Sequence, residues 1–194
     1  AAILDQGPEA GLAAAHARLD PERPGPSLRS SKAALALAVA LADLSGRWPL
    51  ERVTAALSDH ADAALDFAIR SAFAERDAEP AGLAALALGK MGSRELNYSS
   101  DIDLIFLHDP DLLPRGASED PVEAAVRLVR RAATLLSERT GGGYCWRVDL
   151  RLRPDPDATP SSLPVQAAEQ YYQSEALAWE RSAFIRARAA AGDC

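Results

Sequence analysis

The chain has 194 residues, a net charge of −7, and 48% apolar residues. That length suits one sizeable domain or a small domain with a helical companion, and that apolar share excludes wholesale disorder because it can bury a core. The acidic balance argues against non-specific nucleic-acid binding, which neutralises phosphates with clustered Lys and Arg, and abundant alanine predicts more helix than average.

Residues 1 to about 20 are Ala-rich and predict a helix. Pro21, Pro24, Gly25 and Pro26 form a break. Ser30 or Ser31 is the expected cap of the next helix, which runs from Lys32 to about Leu44 and is ended by Gly46. Trp48-Pro49-Leu50 opens another, in which Leu57, Ala61, Leu65, Ala68 and Ile69 keep helical spacing. His16 and His60 are read as exposed helix residues without chemistry. Residues 1–80 are thus expected as a helical N-terminal segment.

The pattern changes at Pro80. Leu83 to Leu88 is a short apolar run stopped by Gly89, expected as a buried strand, with helix as the rival reading from its alanines. Gly89-Lys90-Met91-Gly92-Ser93 is expected as a loop. Asp101 to Leu107 is the clearest strand, ended by His108-Asp-Pro-Asp. Residues 109–120, rich in Pro and Asp, predict a mobile loop. Pro121 to Arg139 fits an amphipathic helix with Val122, Ala125, Val126, Leu128, Val129, Ala132 and Leu136 on its apolar side, ended by Thr140 and three glycines. Tyr144 to Arg153 alternates almost perfectly and predicts a strand. A loop follows from Pro154 to Pro164, then closing helices over Ala167–Tyr172 and Ala176 to about Ala189. The expected fold class is α+β, with residues 81–160 as the core and 161–194 as a C-terminal helical segment. Trp146 and Trp179 are read as core residues, and Tyr171 and Tyr172 as packing residues at a helix start.

Neither Cys145 nor Cys194 lies in a CxxC pair, and no His/Cys cluster has zinc spacing. Reduced cysteines and a cytoplasmic location are expected. The longest apolar stretch, Ala33 to Ala42, falls short of the about 20 residues a membrane helix needs, so no membrane partner is expected. The chain lacks an initiator Met and reads as a piece of something longer.

The chemistry concentrates in two of these segments. Residues i and i+2 of a strand share a face, so Asp101 and Asp103 point the same way, about 7 Å apart, while Ile102 and Leu104 point into a core. Two neighbouring carboxylates repel, and keeping both ionised calls for a cation or a basic neighbour. Mg²⁺ takes oxygen ligands, few carboxylates and substrate phosphates, so the pair suits phosphoryl or nucleotidyl transfer. In the second segment Val148, Leu150 and Leu152 are expected inward, and Arg147, Asp149, Arg151 and Arg153 on the polar face. Alone, Asp149 reads as a solvated strand edge with screened ion pairs. Beside Asp101 and Asp103 it completes a metal site, with Arg151 and Arg153 holding phosphate oxygens. Gly89, Gly92, Ser93 and Ser100 flank the pair, and glycines let backbone N–H groups approach phosphates. Lys90 reaches a phosphate or is simply solvated. The string is neither a P-loop nor a dinucleotide fingerprint. Arg147, Arg151, Arg153, Arg181, Arg186 and Arg188 give the last third a local basic surface fitting a small phosphate ligand.

The run from Leu86 to Leu107, LALGKMGSRELNYSSDIDLIFL, resembles the signature of the bacterial glutamine synthetase adenylyltransferase/adenylyl-removing family. Tyr144 to Pro154, Trp179 to Arg188 and Gly192-Asp193 resemble it in the same order. The resemblance covers about residues 81–193. It implies a polymerase-beta-like nucleotidyltransferase sheet in a long polypeptide with two catalytic halves, one removing AMP from a tyrosine of glutamine synthetase by phosphorolysis, the other adding it from ATP. Arg147-Val148-Asp149 and Trp179-Glu180-Arg181 resemble the removing half, and the other catalytic half would lie outside this chain. By position the resemblance implies Asp101, Asp103 and Asp149 as catalytic, Mg²⁺-binding carboxylates. Its implied partners are glutamine synthetase, phosphate and ADP or ATP, and the PII signal protein. The rival readings are the adenylylating half and a non-catalytic nucleotide- or PII-binding domain. One departure is Asp155 to Ser161, which has no glycine where the family pattern has one.

Overall fold

The computed structural model describes residues 7–193. Residues 1–6 of the first expected helix, and Cys194, lie outside them. The described residues open with three helices: α1 (Pro8–His16), α2 (Pro24–Leu44) and α3 (Leu50–Ala74). Of the cluster read as a break, Pro24, Gly25 and Pro26 are in fact the first turn of α2, and Pro21 lies in the turn before it. Pro24 stands at its start, where a fixed φ suits the helix and the missing N–H costs nothing. Ser31 therefore lies inside α2, not at its cap. Leu57, Ala61, Leu65, Ala68 and Ile69 are all buried on one side of α3, as their spacing predicts.

The remaining elements are β1 (Leu83–Ala87), the single turn α4 (Gly89–Gly92), β2 (Ile102–His108), α5 (Pro121–Ser137), β3 (Val148–Asp149), β4 (Ser162–Pro164), α6 (Val165–Ser174), α7 (Ala178–Phe184) and β5 (Arg188–Gly192). The sheet is mixed. β1 lies antiparallel between β2 and β5. Along β2, first β3 and then β4 pair in parallel. The fold is α+β.

Alternation along β2 sorts its side chains. Ile102, Leu104 and Phe106 enter the core, where α3 and α5 pack together. Ile105 and Leu107 take the opposite face, where with Leu86 they line an apolar pocket of about 390 Å³ under α6 and α7. Asp103 shares that opposite face by strand parity. Among the described residues no helix is long and apolar enough to cross a membrane.

Several expectations need correcting. His60 is fully buried, whereas His16 is exposed. The Trp146 indole N–H donates to His60 Nδ1 at 3.3 Å, so the ring proton sits on Nε2, which donates to Ser31 Oγ at 2.9 Å. Ser31 in turn donates to the Ala15 carbonyl at 2.8 Å. Burial holds the His60 pKa down to about 3, with Lys32 and His16 adding to the effect, so this histidine ties α1, α2 and α3 to Trp146 as a neutral group. Trp146 is core, as expected, but Trp179 is 52% exposed. Tyr171 and Tyr172 lie in the second half of α6; the Tyr171 hydroxyl donates to Glu180 at 2.9 Å, and the Tyr172 ring packs 4.3 Å from Phe184. The closing helix expected to reach Ala189 stops at Phe184, and Arg188–Gly192 is instead the strand that pairs with β1.

Candidate functional site

Where β2 begins, Asp103 comes into register with Asp149, and Asp101 stands just before the strand. Asp101 immediately precedes the strand and Asp103 is its second residue. β3 joins in parallel so that Ile102 faces Val148 and Asp103 faces Asp149, with the Ile102 N–H donating to the Arg147 carbonyl at 2.9 Å. Register partners on adjacent strands share a face across about 4.8 Å. The two segments singled out in the sequence therefore do bring their aspartates side by side.

The strand expected over Tyr144–Arg153 is reduced to Val148–Asp149. Asp149 itself ends it. Its Oδ1 accepts the Arg151 N–H at 2.8 Å, a local turn that competes with further ladder pairing. Beyond it, Arg153 donates to the carbonyls of Leu150 at 2.7 Å and Pro156 at 2.6 Å and sits near that of Thr159. Arg153 thus braces the glycine-free loop and is not free to face the carboxylates.

Electrostatics distinguish the three acids. Burial pushes the Asp103 carboxyl above its ordinary range, and the negative charges of Asp149 and Asp101 push the same way against Arg151 and Lys90. Asp149 is held below its ordinary range, chiefly by the hydrogen bond from Arg151, whose fork grips both carboxylate oxygens. Arg151 is 82% exposed. Asp101 pairs with Arg147, which also donates to the Tyr144 hydroxyl at 3.0 Å and the Ser99 carbonyl at 2.6 Å. Two of the three acids are thus paired with guanidinium groups, and among the described residues no group of three or more His, Cys, Asp or Glu is placed to hold a metal ion.

The Gly89–Ser93 segment, expected as a loop, contains the helical turn α4. Gly89 has φ +52, and a Cβ there would run into the Asp103 carboxylate; glycine is what lets this turn lie directly on the acid. The Leu88 N–H donates to the Asp103 carbonyl at 2.9 Å, fixing the turn to β2. Gly92 abuts the backbone carbonyls of Arg186 and Ala87 instead. Ser93 is engaged with the Gly89 carbonyl at 3.1 Å and Glu95 at 2.9 Å. Ser100 Oγ accepts the Asn97 N–H at 3.1 Å, shaping the turn into Asp101. Lys90 is exposed and near enough to Asp103 to favour its ionised form.

The expected basic surface is largely parcelled out. Arg188 pairs with Asp62 at 2.8 Å, Arg186 stands 3.8 Å from Glu95, and Arg181 donates to the Ala176 carbonyl at 3.1 Å. Arg147 and Arg151 remain at the carboxylates. The sequence put Arg147 on the polar face without singling it out, although that parity already aimed it toward the acids.

The architecture is an α+β fold with a mixed sheet, and an Asp-x-Asp pair stands where the strand Ile102–His108 begins. Residues 3–194 match the family model described as glutamate-ammonia ligase adenylyltransferase, and the chain belongs to that family. It is 46% identical, over 86% of its length, to a bifunctional glutamine synthetase adenylyltransferase/adenylyl-removing enzyme of Caulobacter vibrioides. It is 47% identical over the same share to that of Bradyrhizobium diazoefficiens, and 40% identical over 98% of its length to one from Rhodopseudomonas palustris. The matched segment spans 18% of the first two relatives and 21% of the third.

Proposed function

We propose that the carboxylate face at the start of β2 removes AMP from an adenylylated tyrosine of glutamine synthetase, with inorganic phosphate as acceptor and ADP as product. The observation that carries this reading is the register of Asp103 on Asp149, with Asp101 two residues before. The names of the relatives pair an adenylyltransferase with an adenylyl-removing enzyme. The likeness of Arg147-Val148-Asp149 and Trp179-Glu180-Arg181 to the removing half favours that direction.

The ligand chemistry suits Mg²⁺, which takes hard oxygen ligands and few carboxylates: Asp103 and Asp149 in register, with Asp101 two residues before, would hold it once Arg147 and Arg151 move off. Burial first, and then the charges of Asp149 and Asp101, raise the Asp103 pKa, and a divalent cation would offset both. Arg151 is exposed but the Asp149 side chain is only 14% exposed, so a cation that takes Arg151's place would keep that carboxylate's charge compensated. When bound, the metal would neutralise the phosphoryl group and stabilise the departing phenolate. Once freed, Arg151 and Arg147 offer planar donor forks to phosphate oxygens, and Lys90 adds a point charge. Phosphate is already anionic and the tyrosine leaving group has a pKa of about 10, so no strong general base is required; His60 and His108 are buried in bonds to Ser31 and Ser162.

The test is product analysis with adenylylated glutamine synthetase, Mg²⁺ and phosphate, comparing this chain with Asp101→Asn. Phosphate-dependent ADP, lost in the variant, is expected. ATP-dependent labelling of the unmodified synthetase without ADP formation would instead make this the adenylylating half. Mg²⁺ binding with neither product would leave a nucleotide-binding or PII-binding regulatory domain.

A further inference from the structure

Arg29 has an unusual environment. It lies in α2, its side chain only 11% exposed, and its Nη1 is buried without a hydrogen-bond partner. Its one ion-pair partner among the described residues, Glu138, stands 3.9 Å away and is itself 57% exposed. The buried Lys32 nearby has two ways out that Arg29 lacks. Burial lowers its pKa to about 7, and its ammonium lies 2.8 Å from the centre of the Trp146 ring. A guanidinium cannot shed its proton in a protein, and a buried charge without a hydrogen-bonded partner is costly.

The guanidinium sits between two backbone segments that let it reach a cavity. A Cβ at Gly25 would lie 3.5 Å from Nη1, and one at Gly142 would lie 3.9 Å from Nε. It lines a pocket of about 360 Å³ shared with Pro26, Ser30, Ala33, Thr140 and Gly142. The floor on the loop side is a closed turn in which Thr140 and Gly143 exchange backbone hydrogen bonds at 3.0 Å. Ser30, on the α2 side of the lining, accepts at its Oγ from Arg18 at 3.1 Å, a residue of the neighbouring pocket. The pocket is therefore of small-molecule size, largely apolar in its walls, with the Arg29 guanidinium as its one charged group, between a helix and a tight turn.

We propose that this pocket binds a small oxyanion, a phosphate or carboxylate group gripped by Arg29 between α2 and the Thr140–Gly143 turn, as a ligand site separate from the carboxylate face. The site stands independently of the reaction direction proposed above. The turn leads through Cys145 and Trp146 into β3, so its occupant would brace the segment that carries Asp149.

The test is amide NMR of the full chain with a metal chelator present, titrated separately with inorganic phosphate and with acetate. Saturable shifts centred on Gly141, Gly142 and Gly143 are expected. Saturation by phosphate alone identifies a phosphate-bearing ligand, by acetate alone a carboxylate, and by both a general oxyanion site. Arg29→Gln should weaken the effect about tenfold or more, as loss of a charged hydrogen bond implies. If that variant does not fold, Arg29→Lys keeps the charge without the fork and should still weaken binding severalfold. Shifts confined to Gly89 and Gly92, shifts that never saturate, or affinity unchanged in a folded Arg29 variant would each overturn the proposal.

Discussion

At the scale of single residues the fold places charge where it is uncomfortable, and those places make the sharpest tests. Asp103 is crowded by Asp149 and Asp101 as well as by burial, so in chelator its negative charge works against folding. Asp103→Asn should raise Tm by roughly 2 °C, modestly because the pairing charges are partly screened by water, while lowering phosphorolysis at least about a hundredfold. A thermal scan beside the product assay reads both; a lower Tm would mean that the carboxylate holds structure. Lys32 offers a pH-dependent counterpart. Its folded pKa of about 7 lies below the usual lysine value, so between pH 7 and about 10.5 the unfolded chain binds more protons, and wild-type stability climbs with pH. Lys32→Met, similar in volume, should be more stable than wild type at pH 6 by about 1–3 kcal/mol, with the gap closing toward pH 10. Urea unfolding across that range measures it. A variant less stable at pH 6 would show that the Trp146 ring more than compensates the buried charge.

Elements show where the sequence was legible and where it was not. β2 was readable because an apolar run with β-branched and aromatic residues carries both faces: Ile102, Leu104 and Phe106 inward, Asp103 opposite with Ile105 and Leu107. α5 was readable from its apolar stripe. The Tyr144–Arg153 segment alternates almost perfectly, yet only Val148–Asp149 pairs, because Asp149 captures the Arg151 N–H and Arg153 folds back on carbonyls. Periodicity does not record side chains that compete with the ladder. β5 was missed since its Arg-Ala-Ala-Ala-Gly composition favours helix, and only pairing with β1 makes it a strand. His60 was misread for a related reason: an isolated histidine on a helix does not announce Ser31 and Trp146 as partners. Within the candidate site the aspartates were legible, whereas the guanidinium closures and the seating of α4 on Asp103 depend on tertiary approach. Gly92 tests that seating. A Cβ there meets the Arg186 carbonyl, a backbone atom that cannot swing aside. Gly92→Ala should therefore destabilise by about 1–3 kcal/mol by overpacking, read as a lower urea midpoint at unchanged slope. An unchanged midpoint would mean that the connection between α7 and β5 yields freely.

Across the whole molecule the question is whether the helical half and the sheet are one cooperative body. One buried cluster runs from Leu28 and Leu35 of α2 through Leu57, Leu65 and Phe73 of α3 to Leu104, Phe106 and Trp146. α3 packs on α2, α5 and β5 alike. Trp146 joins the halves physically, with Lys32 over its ring and His60 on its indole nitrogen. Removing the first 80 residues would uncover the core side of the sheet, so the parts on either side of Pro80 are expected to unfold together. The measurement is urea unfolding of a Trp48→Phe/Trp179→Phe chain, in which Trp146 is the one remaining indole among the three tryptophans. Far-UV circular dichroism, dominated by the helices, and Trp146 fluorescence, which reports the junction, should give coincident transitions. A helical signal that persists after Trp146 becomes exposed would show instead that α1 to α3 fold as a unit of their own, and that the carboxylate face rests on a separable support.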